Sequence, residues 1–183
     1  VQSFYAKEYL PNQVILTIVG DVTVDQATTL IQTYFGSWKK GVVQPRTVKK
    51  PAAIDKKIVQ LIEKDLTQST IVIGHPGISR TNPDYYAVTV MNHVLGAGGF
   101  SSRLMDTIRD KQGLAYGITS HYDARALPGS FWINLQTRTE TTNQAISGVL
   151  AEMKAIREAL VSDQELADAK AFLMGSFPLR LDS

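Results

Sequence analysis

The chain has 183 residues, 44% hydrophobic and 20% charged, a composition typical of one globular domain, or of one domain with part of another. A net charge of +2 gives no general signal for nucleic-acid or membrane binding; lysines cluster in the first third, but a solvated linker explains them equally well. The absence of cysteine excludes disulfides, thiolate metal sites and cysteine nucleophiles, and no apolar run is long enough for a membrane span. Neither end resembles a natural terminus, so we expect a piece of a longer protein.

The first predicted unit is a strand followed by a helix. Residues 14–19 form a short apolar, β-branched run that is typical of a buried strand. Thr23 stands three residues before Gln26, which is the pattern of a capping box at the start of a helix. The apolar face of this helix is expected to comprise Val24, Ala27, Leu30, Ile31 and Tyr34.

A second, larger unit is predicted after a linker over residues 42–56, which are rich in lysine, proline and alanine. Residues 57–62 and 69–73 have the composition of strands. Asn82-Pro83 predicts the start of a helix, with Asn82 as its cap. Val88, Met91 and Leu95 share one face of this helix, which ends in a run of glycines.

The rest of the second unit alternates between helices and strands. A short helix is predicted over residues 101–109, ending at Gly113, and strands over residues 114–122 and 130–137. A long helix with an apolar stripe follows, and Ser162 with Glu165 predicts the capping box of a final helix. The predicted fold class is therefore α+β, a two-layer sandwich of a mostly antiparallel sheet with helices packed on one side.

The usual hydrolytic signatures are missing from the sequence. The three histidines, His75, His93 and His121, are too far apart for two of them to share one helix face as metal ligands. Neither H-x-x-E-H nor H-E-x-x-H occurs, and no G-x-S-x-G elbow supports a serine nucleophile. We therefore predict hydrogen-bonded or surface histidines and no metal site in this chain.

Residues 96–102 form a glycine-rich segment with two alternative interpretations. Backbone amides of such a loop can hold an anion at a helix N-terminus. A phosphate loop, however, follows a strand and carries a lysine, whereas this segment follows a predicted helix and has none. A hinge that lets two helices meet is the favoured interpretation.

This glycine-rich segment, continued by residues 103–104 and 108–116, resembles the C-terminal half of the insulinase/pitrilysin family of zinc peptidases, which includes the mitochondrial processing peptidases and bacterial zinc proteases. The resemblance extends further. Residues 9–12 and 19–21 resemble the end of the family's first half, residues 82–84 the start of the second half's first helix, and residues 162–175 its final helix. Residues 1–41 would then be a fragment of the preceding domain, and residues 57–183 the inactive C-terminal domain.

The resemblance implies a non-catalytic half that closes a chamber around a peptide. In the family the zinc ligands lie in the other half, so zinc is expected there and no cofactor in this chain. The non-catalytic half supplies an arginine and a tyrosine that reach the bound peptide, and Arg109 and Tyr116 match this pair. Chamber-lining residues implied by the same match are Gly98, Gly99, Phe100, Ser102 and Met105.

Two functions remain open. The first is the non-catalytic half of a zinc endopeptidase, whose expected partners are a zinc-bearing half and a peptide substrate. Neither a nucleic-acid partner nor a membrane span is expected. The alternative is a structural or chaperone-like subunit that contributes nothing to catalysis; Tyr116 could then be a core residue, and Arg109 could simply complement a helix dipole. The compartment also stays open among the bacterial periplasm or cell envelope, the cytoplasm and the mitochondrial matrix.

Overall fold

The computed structural model describes residues 1–43, 48–49 and 52–181, and these form two compact units, Val1–Lys49 and Lys50–Ser183. The predicted linker over residues 42–56 falls partly outside the described residues. Each unit is described by itself.

The first unit contains two α-helices, α1 (Gln2–Glu8) and α2 (Val24–Phe35), with a 3-10 turn at Pro11–Gln13. The predicted capping box is confirmed, because Gln26 N donates to Thr23 Oγ1 and Thr23 N donates to Gln26 Oε1. The strand expected over residues 14–19 is not formed. A strand needs a partner for its backbone hydrogen bonds, and the described part of this unit contains no other strand. None of the described residues of this unit is buried, because its two helices have no sheet to pack against within the unit.

The second unit is built on a three-stranded antiparallel sheet. Its strands are β1 (Gln68–Pro76), β2 (Ile118–Asp123) and β3 (Ser130–Arg138), arranged in the order β1-β3-β2. Leu135 pairs with Ile71 on one side and Ile118 on the other, and all three side chains are buried. Residues 57–62 and 114–117, which were expected to be strand, lie outside the sheet because they are not paired with it.

Helices cover one face of this sheet, as the sequence predicts. They are α3 (Tyr85–Asn92), two π-helical segments (His93–Ala97 and Met105–Lys111), α4 (Thr142–Glu158) and α5 (Asp163–Ser176), with 3-10 turns at Gly99–Ser101, Thr139–Thr141 and Pro178–Arg180. Asn82 does not cap α3; its side chain instead accepts a hydrogen bond from Asp84 N in the turn before the helix. The shared core of sheet and helices consists of Ile71, Leu95, Leu104, Met105, Ile108, Leu114, Ala115, Ile118, Phe131, Ile133, Leu135, Ala145 and Val149.

The start of α5 is attached to the glycine-rich region by an ion pair. Arg103 donates two hydrogen bonds to the Glu165 carboxylate, at 2.6 and 2.8 Å. Glu165 also completes the predicted capping box with Ser162, whose backbone N–H donates to it at 2.7 Å. The hydrogen bond from Arg103, followed by those from Ser162, lowers the pKa of Glu165 from 4.5 to about 2. A single carboxylate therefore stabilises both the helix start and its docking.

The lowered pKa of Glu165 predicts that the free energy of unfolding decreases at acidic pH. Because the folded-state pKa lies below the ordinary value of 4.5, the ionised carboxylate stabilises the fold above about pH 4.5, and this contribution is lost as the pH falls toward 2. Since both side chains stay partly exposed, we expect it to be only about 1 kcal/mol. Urea unfolding at pH 7 and pH 3 should show a smaller acid-induced loss for Glu165→Gln than for wild type. The exposed Glu140→Gln should behave as wild type, and equal losses in all three proteins would contradict the assignment.

Candidate functional site

Arg109 and Tyr116 lie on either side of a helix-ending turn. Arg109 is in the last turn of the Met105–Lys111 segment. Gly113 then adopts φ +61, a left-handed conformation that favours glycine, while its N–H donates to the Arg109 carbonyl and Leu114 N donates to the Ile108 carbonyl. Leu114 and Ala115 bury their side chains directly afterwards, which fixes the position of the next residue, Tyr116.

The Tyr116 side chain points to solvent. Its exposed fraction is 92%, so the alternative that Tyr116 is a core residue is wrong. Its ring centroid lies 5.7 Å from Arg109 Cζ, within the range of a cation–π contact. The turn thus brings together the two side chains that the sequence analysis paired. Both present hydrogen-bond donors at the surface of this unit.

Arg109 has two further neighbours. The Phe100 ring centroid lies 4.9 Å from Arg109 Cζ, closer than that of Tyr116. Arg109 Nη1 donates to Asp110 Oδ1 at 3.0 Å, and the arginine side chain is 30% exposed. From the sequence, Phe100 was expected only as a lining residue, and Asp110 was not expected at the site. The contact of Phe100 with Arg109 could not be predicted, because no local spacing rule connects residues 100 and 109. The ion pair of Arg109 with Asp110 could have been predicted, because the two residues are adjacent in the sequence.

The glycine-rich segment forms a hydrogen-bonded turn that carries Phe100. Gly99 adopts φ +62, Ser101 Oγ donates to the Gly98 carbonyl at 3.0 Å, and Ser102 Oγ donates to the Gly99 carbonyl at 2.7 Å. Phe100 itself is 73% exposed. The turn links two helical segments, and internal hydrogen bonds hold it. That it acts as a hinge stays a prediction.

Two of the predicted lining residues lie beneath the surface. Ser102 is buried, and its hydroxyl donates a hydrogen bond within the turn. Met105 belongs to the hydrophobic core. They support the turn and the Arg109 segment from inside. The accessible part of the site therefore consists of Phe100, Arg109 and Tyr116, with the backbone of Gly98 and Gly99 beside them.

The histidines are separated from each other and engaged in other contacts. His75 stacks on Phe131 and His121 stacks on Trp132, both at 4.9 Å between ring centroids. His93 stacks on Phe172 at 4.8 Å, and its burial lowers its pKa. Within the described ranges no cluster of histidine and acidic side chains could hold a metal ion. None of the helices described is long and apolar enough to cross a membrane.

This arrangement predicts that the chain alone retains no stoichiometric zinc after dialysis against metal-free buffer. The reason is that a structural or catalytic zinc site needs at least three converging ligands, and the histidines stand apart. Elemental analysis of the dialysed protein tests this. One tightly bound zinc per chain would contradict it.

Comparison with known proteins adds an independent line of evidence. The family model described as the Peptidase M16 inactive domain matches residues 1–173. An uncharacterized zinc protease of Streptomyces coelicolor is 29% identical, over 100% of this chain and 40% of its own length. A non-peptidase homolog of Helicobacter pylori is 34% identical, over 96% of this chain and 40% of its own length.

A solved structure has the same fold. The crystal structure of a peptidase M16 inactive domain from Pseudomonas fluorescens matches with a TM-score of 0.82 at 32% identity, covering 96% of this chain and 42% of that one. Our chain spans about 40% of the length of the curated bacterial relatives that it matches.

Proposed function

This chain belongs to the peptidase M16 inactive-domain family, and from this we propose that it is the non-catalytic half of a zinc metalloendopeptidase. In this proposal it closes the chamber, binds the peptide and supplies Arg109 and Tyr116 to the active site of a zinc-bearing half. Zinc would be held by that half, which is either part of the same parent chain or a separate subunit. Residues 1–41 would belong to the preceding domain, and residues 57–183 would form the inactive domain.

The observation that carries this proposal is the contact of the partly exposed Arg109 with the exposed Tyr116. A tyrosine that is 92% exposed contributes little to a core, and a guanidinium 5.7 Å from its ring places a second donor beside the phenol. A peptide carbonyl gains negative charge as it is attacked. Donors that already point to its position stabilise that charge without reorganisation.

The second candidate function is a structural subunit without a catalytic contribution. It is favoured by the relative from Helicobacter pylori, which is called a non-peptidase homolog and is 34% identical. A structural wall does not require the phenol of Tyr116. The two functions therefore differ in what happens when this single oxygen is removed.

Tyr116→Phe in the complete protein tests the proposal. We expect turnover of a peptide to fall by about a hundredfold, because one oxyanion donor is lost. The melting temperature should not change, since the ring remains and is exposed. Tyr86→Phe is the matched control, as Tyr86 is also strongly exposed but lies on α3. Unchanged turnover in Tyr116→Phe, or no turnover in wild type, would favour the structural function.

A further inference from the structure

We propose that Phe100 is a positioning residue for Arg109, and that the Gly98–Ser102 turn serves to hold Phe100 over the guanidinium. This inference rests on the proposed function, because positioning matters only if Arg109 acts on a peptide. It gives the glycine-rich segment a role other than anion binding or a hinge.

The first support is the geometry around Arg109. An arginine side chain is long and has several rotatable bonds, so an exposed guanidinium is ordinarily mobile. Here two aromatic rings lie near it, Phe100 at 4.9 Å and Tyr116 at 5.7 Å from Cζ. Both rings are largely exposed, so neither is there to fill the core. The closer ring, Phe100, has no hydrogen-bonding group of its own, and its ring contact is with the Arg109 guanidinium.

The second support is that a ring contact and hydrogen bonds use different parts of the planar guanidinium. Aromatic rings contact its planar face, whereas its five N–H donors point outward in the plane. The Phe100 ring carries no nitrogen or oxygen acceptor, so its contact can restrain the guanidinium without pairing one of these donors with such an atom. Asp110 accepts one of these donors at 3.0 Å, and no other hydrogen bond from this side chain forms among the residues that the structure describes. The remaining donors are free for a peptide carbonyl.

The third support is the way Phe100 is held. Gly99 adopts φ +62, which a residue with a Cβ rarely adopts. The hydroxyls of Ser101 and Ser102, which follow Phe100, donate to the carbonyls of Gly98 and Gly99, which precede it. Ser102 is buried, and Arg103 next to it is fixed by its ion pair with Glu165. The backbone that carries Phe100 is therefore attached to the core and to α5, so the ring has a defined position from which to hold Arg109.

The test is made in the complete protein, labelled with ¹⁵N in arginine only. The Arg109 Nε–Hε signal, assigned by its loss in Arg109→Lys, should be displaced by the ring current of Phe100. We expect Phe100→Leu to remove most of that displacement, Phe100→Tyr to retain it, and the control Tyr86→Leu to leave it unchanged. In parallel, Phe100→Leu should lower kcat by about two- to fivefold with little change in KM, as befits an exposed cation–π contact, and Phe100→Tyr should restore it.

The outcomes separate this inference from the proposed function. An Arg109 signal that is the same in Phe100→Leu and wild type overturns the positioning role. An unchanged kcat in Phe100→Leu, while Arg109→Ala remains impaired, also overturns it and leaves the proposed function intact. Failure of the proposed function is seen instead as wild-type turnover in Arg109→Ala, whatever the spectrum shows.

Discussion

Arg109→Ala in the complete protein is expected to lower peptide turnover by about a hundred- to a thousandfold. The loss should exceed that of Tyr116→Phe, because a charged donor to a developing oxyanion is stronger than a neutral one. Arg109→Lys should fall between alanine and wild type, since it keeps the charge but loses the planar, multiple-donor geometry. Steady-state kinetics with one defined peptide substrate would measure all three proteins.

Stability should change little in Arg109→Ala. The side chain loses a partly exposed ion pair with Asp110 and its contacts with two exposed rings, which together contribute about 1 kcal/mol or less. Arg125→Ala is a control, because Arg125 is likewise paired with an aspartate close in sequence, Asp123, although its side chain is more exposed than that of Arg109. A turnover loss of similar size in Arg125→Ala, or full activity in Arg109→Ala, would contradict the role assigned to Arg109.

Gly96→Ala is expected to lower the stability of the second unit strongly. Gly96 lies where the first π-helical segment crosses β2, and an added Cβ would lie 2.6 Å from Ser120 Oγ and 2.8 Å from both Ser120 N and Leu104 Cδ1. Ser120 is paired with Ile133 in the sheet, so its backbone cannot move away without breaking strand pairing. Relief of the clash would also disturb the buried hydrogen bond that Ser120 Oγ donates to Asn92 Oδ1 at 2.7 Å.

Overpacking by the added Cβ and disturbance of the buried Ser120–Asn92 hydrogen bond together predict that Gly96→Ala lowers the free energy of unfolding by about 3 kcal/mol. Gly175→Ala in α5 is the matched control, since nothing lies within 4 Å of the added Cβ. It should be neutral or stabilising by about 0.5 kcal/mol through helix propensity. Urea unfolding at neutral pH would compare both variants with wild type. Equal stability of Gly96→Ala and Gly175→Ala would show that the helix does not approach the sheet as closely as described.

The features that the sequence predicts well are local. The capping boxes of Thr23 with Gln26 and of Ser162 with Glu165 depend on residues three apart, and both form. The pairing of Arg109 with Tyr116 came from the family resemblance, and the short glycine turn between their elements is compatible with it. Residues 69–73 and 130–137 have strand composition and also find each other as partners, so their prediction is confirmed.

The features that the sequence could not give depend on distant residues. Residues 14–19 and 57–62 have the composition of strands, but composition does not supply the neighbouring strand that completes the hydrogen bonds. The π-helical segments, the contact of Phe100 with Arg109 and the ion pair of Arg103 with Glu165 arise from packing between elements. Ser102 and Met105 were expected at the peptide surface by resemblance alone, whereas their burial depends on how the helices dock on the sheet.

The most direct test of the central claim is the turnover of the complete protein carrying Arg109→Ala and Tyr116→Phe together, measured with its zinc content. Zinc should be retained, since neither residue is proposed as a ligand, and turnover should fall by about a thousandfold. If both donors serve one oxygen, as proposed, the double loss should be smaller than the product of the two single losses. Wild-type turnover in this double variant would contradict the claim that this half of the protein contributes to catalysis.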